Sequence, residues 1–156
     1  MKDKHESNYK IYLDVCCLNR PFDDWDQERI RLEGEAVLSI MERIRAKKWQ
    51  LVTSEAIRVE LEKMRNLEKL DNILKLLEFA TISININEEV DMRSQQLENL
   101  GFALYDSFHI ACAEVTSVDI LLSTDDRLLK NALRYQDVLK IAVDNPLTWF
   151  MNIFQS

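Results

Sequence analysis

The sequence predicts an α/β fold of three layers, α/β/α, built on a central and mainly parallel β-sheet. Three features point to it. Short β-prone apolar runs recur along the chain with stretches of helical periodicity between them, the pattern of strand–helix–strand units in a parallel sheet. Several helical stretches open on a residue able to cap them. The chain has 156 residues, 47% of them hydrophobic, and no repeat, low-complexity tract or linker divides it. One compact domain is therefore expected, over residues 9–151, with tails at 1–8 and 152–156.

The elements follow in order. Tyr9–Asp14 (YKIYLD) is the first strand and ends on a carboxylate; the segment after it reads as a loop. From Asp26 to about Lys47, Ile30, Gly34, Val37, Leu38, Met41 and Ile44 recur at helical spacing. Gln50–Thr53 is a short strand, and Ser54 can cap a helix running to about Arg65. A helix over Leu67–Phe79 precedes the alternating strand Ala80–Ile84. Asn87 caps a helix to Leu100, with Gly101 at the position just past its end, where a left-handed residue is favoured. A helix from Ala103 to about Thr116 leads to the buried strand Asp119–Leu122. Ser123 or Thr124 caps a helix to about Arg134, Val138–Ala142 forms the last strand, and Pro146 opens a terminal helix.

Composition narrows the chemistry. The only glycines, Gly34 and Gly101, are too far apart for a glycine-rich phosphate loop. His5 and His109 are too few for a three-histidine or H-E-x-x-H metal site, and His109 reads as a hydrogen-bonded structural residue. Cys16, Cys17 and Cys112 form no C-x-x-C pair and read as small, reduced, buried side chains. No apolar run approaches a membrane span, so a cytoplasmic protein without a membrane partner is expected. The net charge of −7 argues against coating nucleic acid by bulk electrostatics. It leaves room for an enzyme whose carboxylates are neutralised by a divalent metal.

Several acids stand where burial should discourage them. Open parallel sheets bind ligands beyond the carboxyl ends of their strands. Asp14 ends the first strand, and Asp125 and Asp126 follow the fourth. Glu60 lies on the edge of the apolar stripe formed by Ile57, Leu61 and Met64, where a carboxylate is costly unless paired or metal-bound. Asp106 opens FALYDSFHIACAEV, a segment apolar almost all round and so expected to be central and buried. Carboxylates gathered in one cleft raise one another's pKa. A hard divalent cation such as Mg²⁺ or Mn²⁺ relieves that repulsion through oxygen ligands. Such ions can activate water and stabilise both oxygens of a phosphodiester displacement. Metal-assisted phosphodiester hydrolysis is the chemistry that fits this set.

The chain resembles the PIN domains, the fold of many VapC-type toxin ribonucleases. The resemblance rests on four motifs in order: YLDVCCLNRPF at the first strand, VTSEAIRVELEK after the second, LGFALYDSFHIACAE in the central helix and LLSTDDRLLK after the fourth. It implies an endoribonuclease dependent on Mg²⁺ or Mn²⁺, a homodimer, and an antitoxin partner. It also implies that Asp14, Glu60, Asp106 and Asp126 are the catalytic and metal-binding acids. Asp126 matches because it follows Thr124 by two residues, with Asp125 as the adjacent alternative. Where the family has a small hydroxyl residue or Asn after the first Asp, this chain has Val15-Cys16-Cys17, and Asn19 and Arg20 are the substitutes expected to contact substrate.

Arg29 and Arg31 are further phosphate candidates, whereas Arg43, Arg45, Lys47 and Lys48 read as a basic helix end. Trp25, Trp49 and Trp149 show no stacking-platform spacing and read as packing residues. Two other readings compete. A PIN-like scaffold could have lost cleavage and serve protein interaction or dimerisation. A phospho-acceptor receiver also gathers acids at strand ends, but it needs paired acids near the first strand and a lysine after the last, where this chain has a single Asp14 and Asp144-Asn145.

Overall fold

A computed structural model describes residues 8–154. Its centre is a five-stranded sheet, all parallel, in the order β3-β2-β1-β4-β5. The strands are β1 (Lys10–Leu13), β2 (Gln50–Ser54), β3 (Ala80–Ile84), β4 (Ile120–Leu122) and β5 (Ala142–Asp144). Among the described residues eight α-helices cover them: α1 (Val15–Asn19), α2 (Glu28–Arg45), α3 (Glu55–Leu61), α4 (Leu67–Leu77), α5 (Glu88–Leu100), α6 (Leu104–Val115), α7 (Asp126–Arg134) and α8 (Pro146–Ile153). The expected three-layer α/β/α class is the observed one.

The three inner strands show why. Ile11, Tyr12 and Leu13, then Leu51 and Val52, then Leu121 and Leu122 are fully buried, the continuous burial that strands covered on both faces require. Caps punctuate the helices where the sequence marks them. Ser54 accepts from Ile57 N–H, Asn87 from Val90 N–H, and Gly101 closes α5 in the left-handed region at φ 113°.

Four expectations need correction. The segment after β1 is helical rather than a loop: Asp14 caps α1, which buries Val15, Cys17 and Leu18, and a 3-10 turn over Arg20–Phe22 follows. Helix α3 ends at Leu61, four residues before the expected Arg65. Helix α7 is capped by Asp125, whose carboxylate accepts from Arg127 N–H; Ser123 Oγ instead accepts from Asp125 N–H. The last strand is Ala142–Asp144, not Val138–Ala142. The Val138 carbonyl accepts from Arg93, and Lys140 N–H donates to Glu114, so side chains satisfy backbone groups that a longer strand would have paired.

At the chain's end, α8 runs through Ile153, which is buried. The tail expected at 1–8 lies outside the described residues except for Asn8; Asn152–Phe154 belong to α8 and its C-cap, and 155–156 lie outside. Trp49 and Trp149 pack edge-on with Tyr9, and Arg43 lies over Trp49, Phe150 and Phe154. The tryptophans of this corner are packing residues, and Arg43 is part of that packing. Among the described residues no helix is long and apolar enough to cross a membrane.

Candidate functional site

The chain leaves β1 for β2 and β3 on one side of the sheet and returns to β4 and β5 on the other. The carboxyl ends of β1 and β4 therefore flank a topological switch point, where open parallel sheets form their ligand crevice. Asp14 stands on that spot. Its N–H donates to the Leu122 carbonyl at 3.2 Å, which ties the two strand ends together. Its side chain is buried at 3% exposure, and Oδ1 accepts from Cys17 N–H at 3.0 Å. Burial pushes the Asp14 carboxyl up; hydrogen bonds from Ser123 and Cys17 oppose the rise, and the Glu60 charge adds to it.

Asp106 lies in the first turn of α6 but caps nothing: the N-cap is Ala103, and no side chain bonds the free N–H groups there. Its carboxyl is pushed up to about 6, first by burial and then by the charges of Asp125, Asp14 and Glu60, with His109 opposing. Cys16, in α1, reports the same gathering from another direction. Burial raises its thiol pKa most, and the charges of Asp14, Asp125, Glu60 and Asp106 all add to the rise. The charges of four acids from four separate segments thus reach the same Cys16 thiol beyond the end of β1. That convergence is the central property of the site.

Of the two adjacent aspartates, it is the charge of Asp125 that acts on Asp106 and Cys16. Asp126 points outward, its side chain 74% exposed, and pairs bidentately with Arg29 at 2.7 and 2.9 Å. The Arg29 hydrogen bonds lower its pKa, and the other four acids have no part in that shift. The Thr–x–Asp spacing pointed to Asp126; in the structure Asp125 is the residue that caps α7, and Asp126 is the first residue of the helix.

Glu60 has a partner the sequence left unassigned. Its Oε1 lies 2.8 Å from His109 Nε2, and His109 Nδ1 lies 2.7 Å from the Tyr12 hydroxyl. Tyr12 in turn lies 2.6 Å from Ser54 Oγ. Ser54, Tyr12 and His109 are essentially inaccessible to solvent. The signal in the sequence was spacing: His109 follows Asp106 by three residues, so both lie on one face of α6.

Asn19 and Arg20, expected at the substrate, sit differently. Arg20 donates from Nε to Glu33 at 2.8 Å and from Nη1 to Asp23 at 2.9 Å. Glu33 is buried at 1% exposure and also accepts from Arg29 at 3.1 Å and Asn145 at 2.6 Å. Arg20 is thus committed to an internal ion-pair network. The Oδ1 atom of Asn19 is buried without a hydrogen-bond partner. Arg31 pairs with Glu35 on the surface.

The donor set suits a hard cation: four carboxylates, all oxygen, with Asp106 raised first by burial and then by its acidic neighbours. Among the described residues, however, no three His, Cys, Asp or Glu side chains stand as a ready coordination shell. Mg²⁺ typically keeps several waters and takes one or two carboxylates, which this group can supply. Asp14, Asp106, Asp125 and Glu60 are the residues that would hold it.

No known protein-family profile matches the chain, and no curated protein matches it. Fifteen chains of solved structures do match. One is the crystal structure of PAE2754 from Pyrobaculum aerophilum, at 13% identity and a TM-score of 0.53, the match covering 95% of this chain and 91% of that one. At that identity the likeness establishes a shared fold, one that spans nearly the whole domain.

Proposed function

We propose that this chain is a metal-dependent endoribonuclease of the PIN type, the toxin of a toxin–antitoxin pair, acting as a homodimer on RNA in the cytoplasm. One observation carries the reading: Asp14 and Asp125 follow the paired strands β1 and β4, Asp106 lies in the first turn of α6, and Glu60 of α3 is bonded to His109 one turn further along α6, so acids from four distant segments are drawn toward one end of the sheet. A fold that only needed stability would not gather four like charges at its switch point without a cation nearby, because each additional charge opposes the next. When bound there, Mg²⁺ or Mn²⁺ supplies charge neutralisation and an activated water for phosphodiester hydrolysis.

The chain's own residues have distinct tasks. Asp14 is fixed by Cys17 N–H and by Ser123, so it forms the rigid wall of the site. Asp106 projects from α6 without a competing backbone bond. Asp125 is oriented by its capping bond to Arg127 N–H. Arg29, half-exposed and bonded to the Thr124 carbonyl, stands beside Asp125 where an RNA phosphate could exchange for Asp126.

The test is Mn²⁺-dependent cleavage of a mixed RNA panel by the wild type and by Asp106→Asn. Cleavage by the wild type and its loss in the variant support the reading, whereas equal cleavage by both marks a contaminating nuclease and discards it. A second reading, an inactive scaffold that binds partners, is favoured by the pairing of Glu60 with His109 and the lack of a preformed coordination shell. It expects no cleavage and no rise in melting temperature with Mn²⁺.

A further inference from the structure

The buried chain Ser54–Tyr12–His109–Glu60 has a direction. A carboxylate only accepts hydrogen bonds, so ionised Glu60 requires His109 Nε2 to carry the proton and donate. In a neutral imidazole the other nitrogen then accepts, and the Tyr12 O–H is its donor. Ser54 Oγ accepts from Ile57 N–H at the start of α3 and keeps its own O–H for the Tyr12 oxygen. Every donor in the row has one acceptor, and no member needs water.

The row also joins three elements that the site depends on. Ser54 closes β2 and opens α3, Tyr12 lies in β1 two residues before Asp14, and His109 lies one turn after Asp106 in α6. Glu60 is the exposed end of the row, its side chain 28% accessible where His109 has 2%. Among the described residues this is the only hydrogen bond to the Glu60 carboxylate.

We propose that His109 is the positioning residue of Glu60: held at Nδ1 by Tyr12, it donates from Nε2 to Oε1 and so fixes the orientation in which Glu60 meets a divalent cation in the acid cluster. This rests on the nuclease reading insofar as it gives Glu60 a cation to meet. His109 itself touches neither metal nor RNA. Groups that orient a metal-binding side chain through one hydrogen bond typically change metal affinity about ten- to a hundredfold when removed. The structure makes the same demand on the opposite nitrogen, so Tyr12 belongs to the device as much as His109 does.

The test combines a metal-free and a metal-bound measurement on the full chain. Nitrogen-15 NMR of His109 in alkaline, chelator-treated buffer should show the proton on Nε2; a proton on Nδ1 overturns the proposal. Mn²⁺ binding, followed by electron paramagnetic resonance of the free ion, should weaken about tenfold or more in His109→Leu. Affinity should recover in His109→Gln, whose amide N–H replaces Nε2–H, and Tyr12→Phe should show a smaller loss in the same direction. In a Glu60→Ala background, His109→Leu should have no further effect, because the pathway through Glu60 is already gone. Unchanged affinity in folded His109→Leu and Tyr12→Phe, no recovery in folded His109→Gln, or an equal loss with Glu60 absent overturns it. A wild type that binds no Mn²⁺ brings down the nuclease reading and this role with it. That pattern is distinct from a binding wild type whose variants bind equally well.

Discussion

At the scale of single residues, Asp106 links site and stability. Its carboxyl titrates at about 6 in the folded chain, above its ordinary value of 3.8, because burial and the Asp125, Asp14 and Glu60 charges disfavour ionisation. The folded state therefore binds more protons than the unfolded state between those two values. Stability must fall as pH rises through that window, and the loss is complete above pH 6. In metal-free buffer at pH 7.5, Asp106→Asn should raise stability by about 1 kcal/mol after allowance for partial exposure, or roughly 2–4 °C in Tm. The difference should vanish near pH 4, which thermal melts at the two pH values will show. Millimolar Mn²⁺ should reverse the order above pH 6, since only the wild type gains from binding.

The neighbouring aspartates make a second contrast at the same scale. Asp125→Asn should lose Mn²⁺ binding, whereas Asp126→Asn should keep it and change stability little, because its ion pair with Arg29 is exposed to solvent. A calorimetric Mn²⁺ titration of both variants separates them. The sequence could not. Both residues follow the same strand, and the choice turns on which one caps α7.

Among elements, the turn-rich segment between β1 and α2 decides most. Its ion-pair network centres on buried Glu33, which binds Arg20, Arg29 and Asn145 and so ties the 3-10 turn, α2 and the start of α8 together. Glu33→Ala leaves these donors without their shared acceptor and should cost about 2–3 kcal/mol. Urea denaturation should show a lower midpoint at unchanged slope. Gly34, beside it, permits close packing: a Cβ there would lie 2.9 Å from Trp25 Nε1 and 3.0 Å from the Arg20 carbonyl. Gly34→Ala should displace the Trp25 ring and break its bond to Arg20, seen as a shift in Trp fluorescence and a loss of stability of about 1 kcal/mol or more.

The sequence misled on this segment because its logic is tertiary. Helix α1 has five residues, too few to show periodicity, and Arg20 looked available until Glu33 claimed it. The last strand slipped for the same reason. Arg93 and Glu114 satisfy the backbone around residues 138–140 from elements 45 and 26 positions earlier, beyond the reach of any local signal. Local signals fared better. Asn87, Ser54 and Gly101 marked helix ends through their own backbone chemistry, and the apolar runs of β1, β2 and β4 marked a sheet buried on both faces.

For the whole molecule, the strand order matters more than any single contact. Asp14 and Asp125 are more than a hundred positions apart, and the strand ends they follow are brought side by side because β4 returns to pair with β1. The sequence placed both acids at strand ends, and the expected parallel sheet supplied a reason for them to meet. What it could not supply was the His109 chain behind Glu60, whose members are spread from Tyr12 to His109 and meet only when β1, α3 and α6 pack. The most direct test of the central claim is an anomalous-scattering map of a crystal soaked in Mn²⁺. We expect a peak enclosed by Asp14, Glu60, Asp106 and Asp125. A peak confined to Asp126, or no peak with the strand ends open to solvent, would contradict the assignment of these acids to a metal centre.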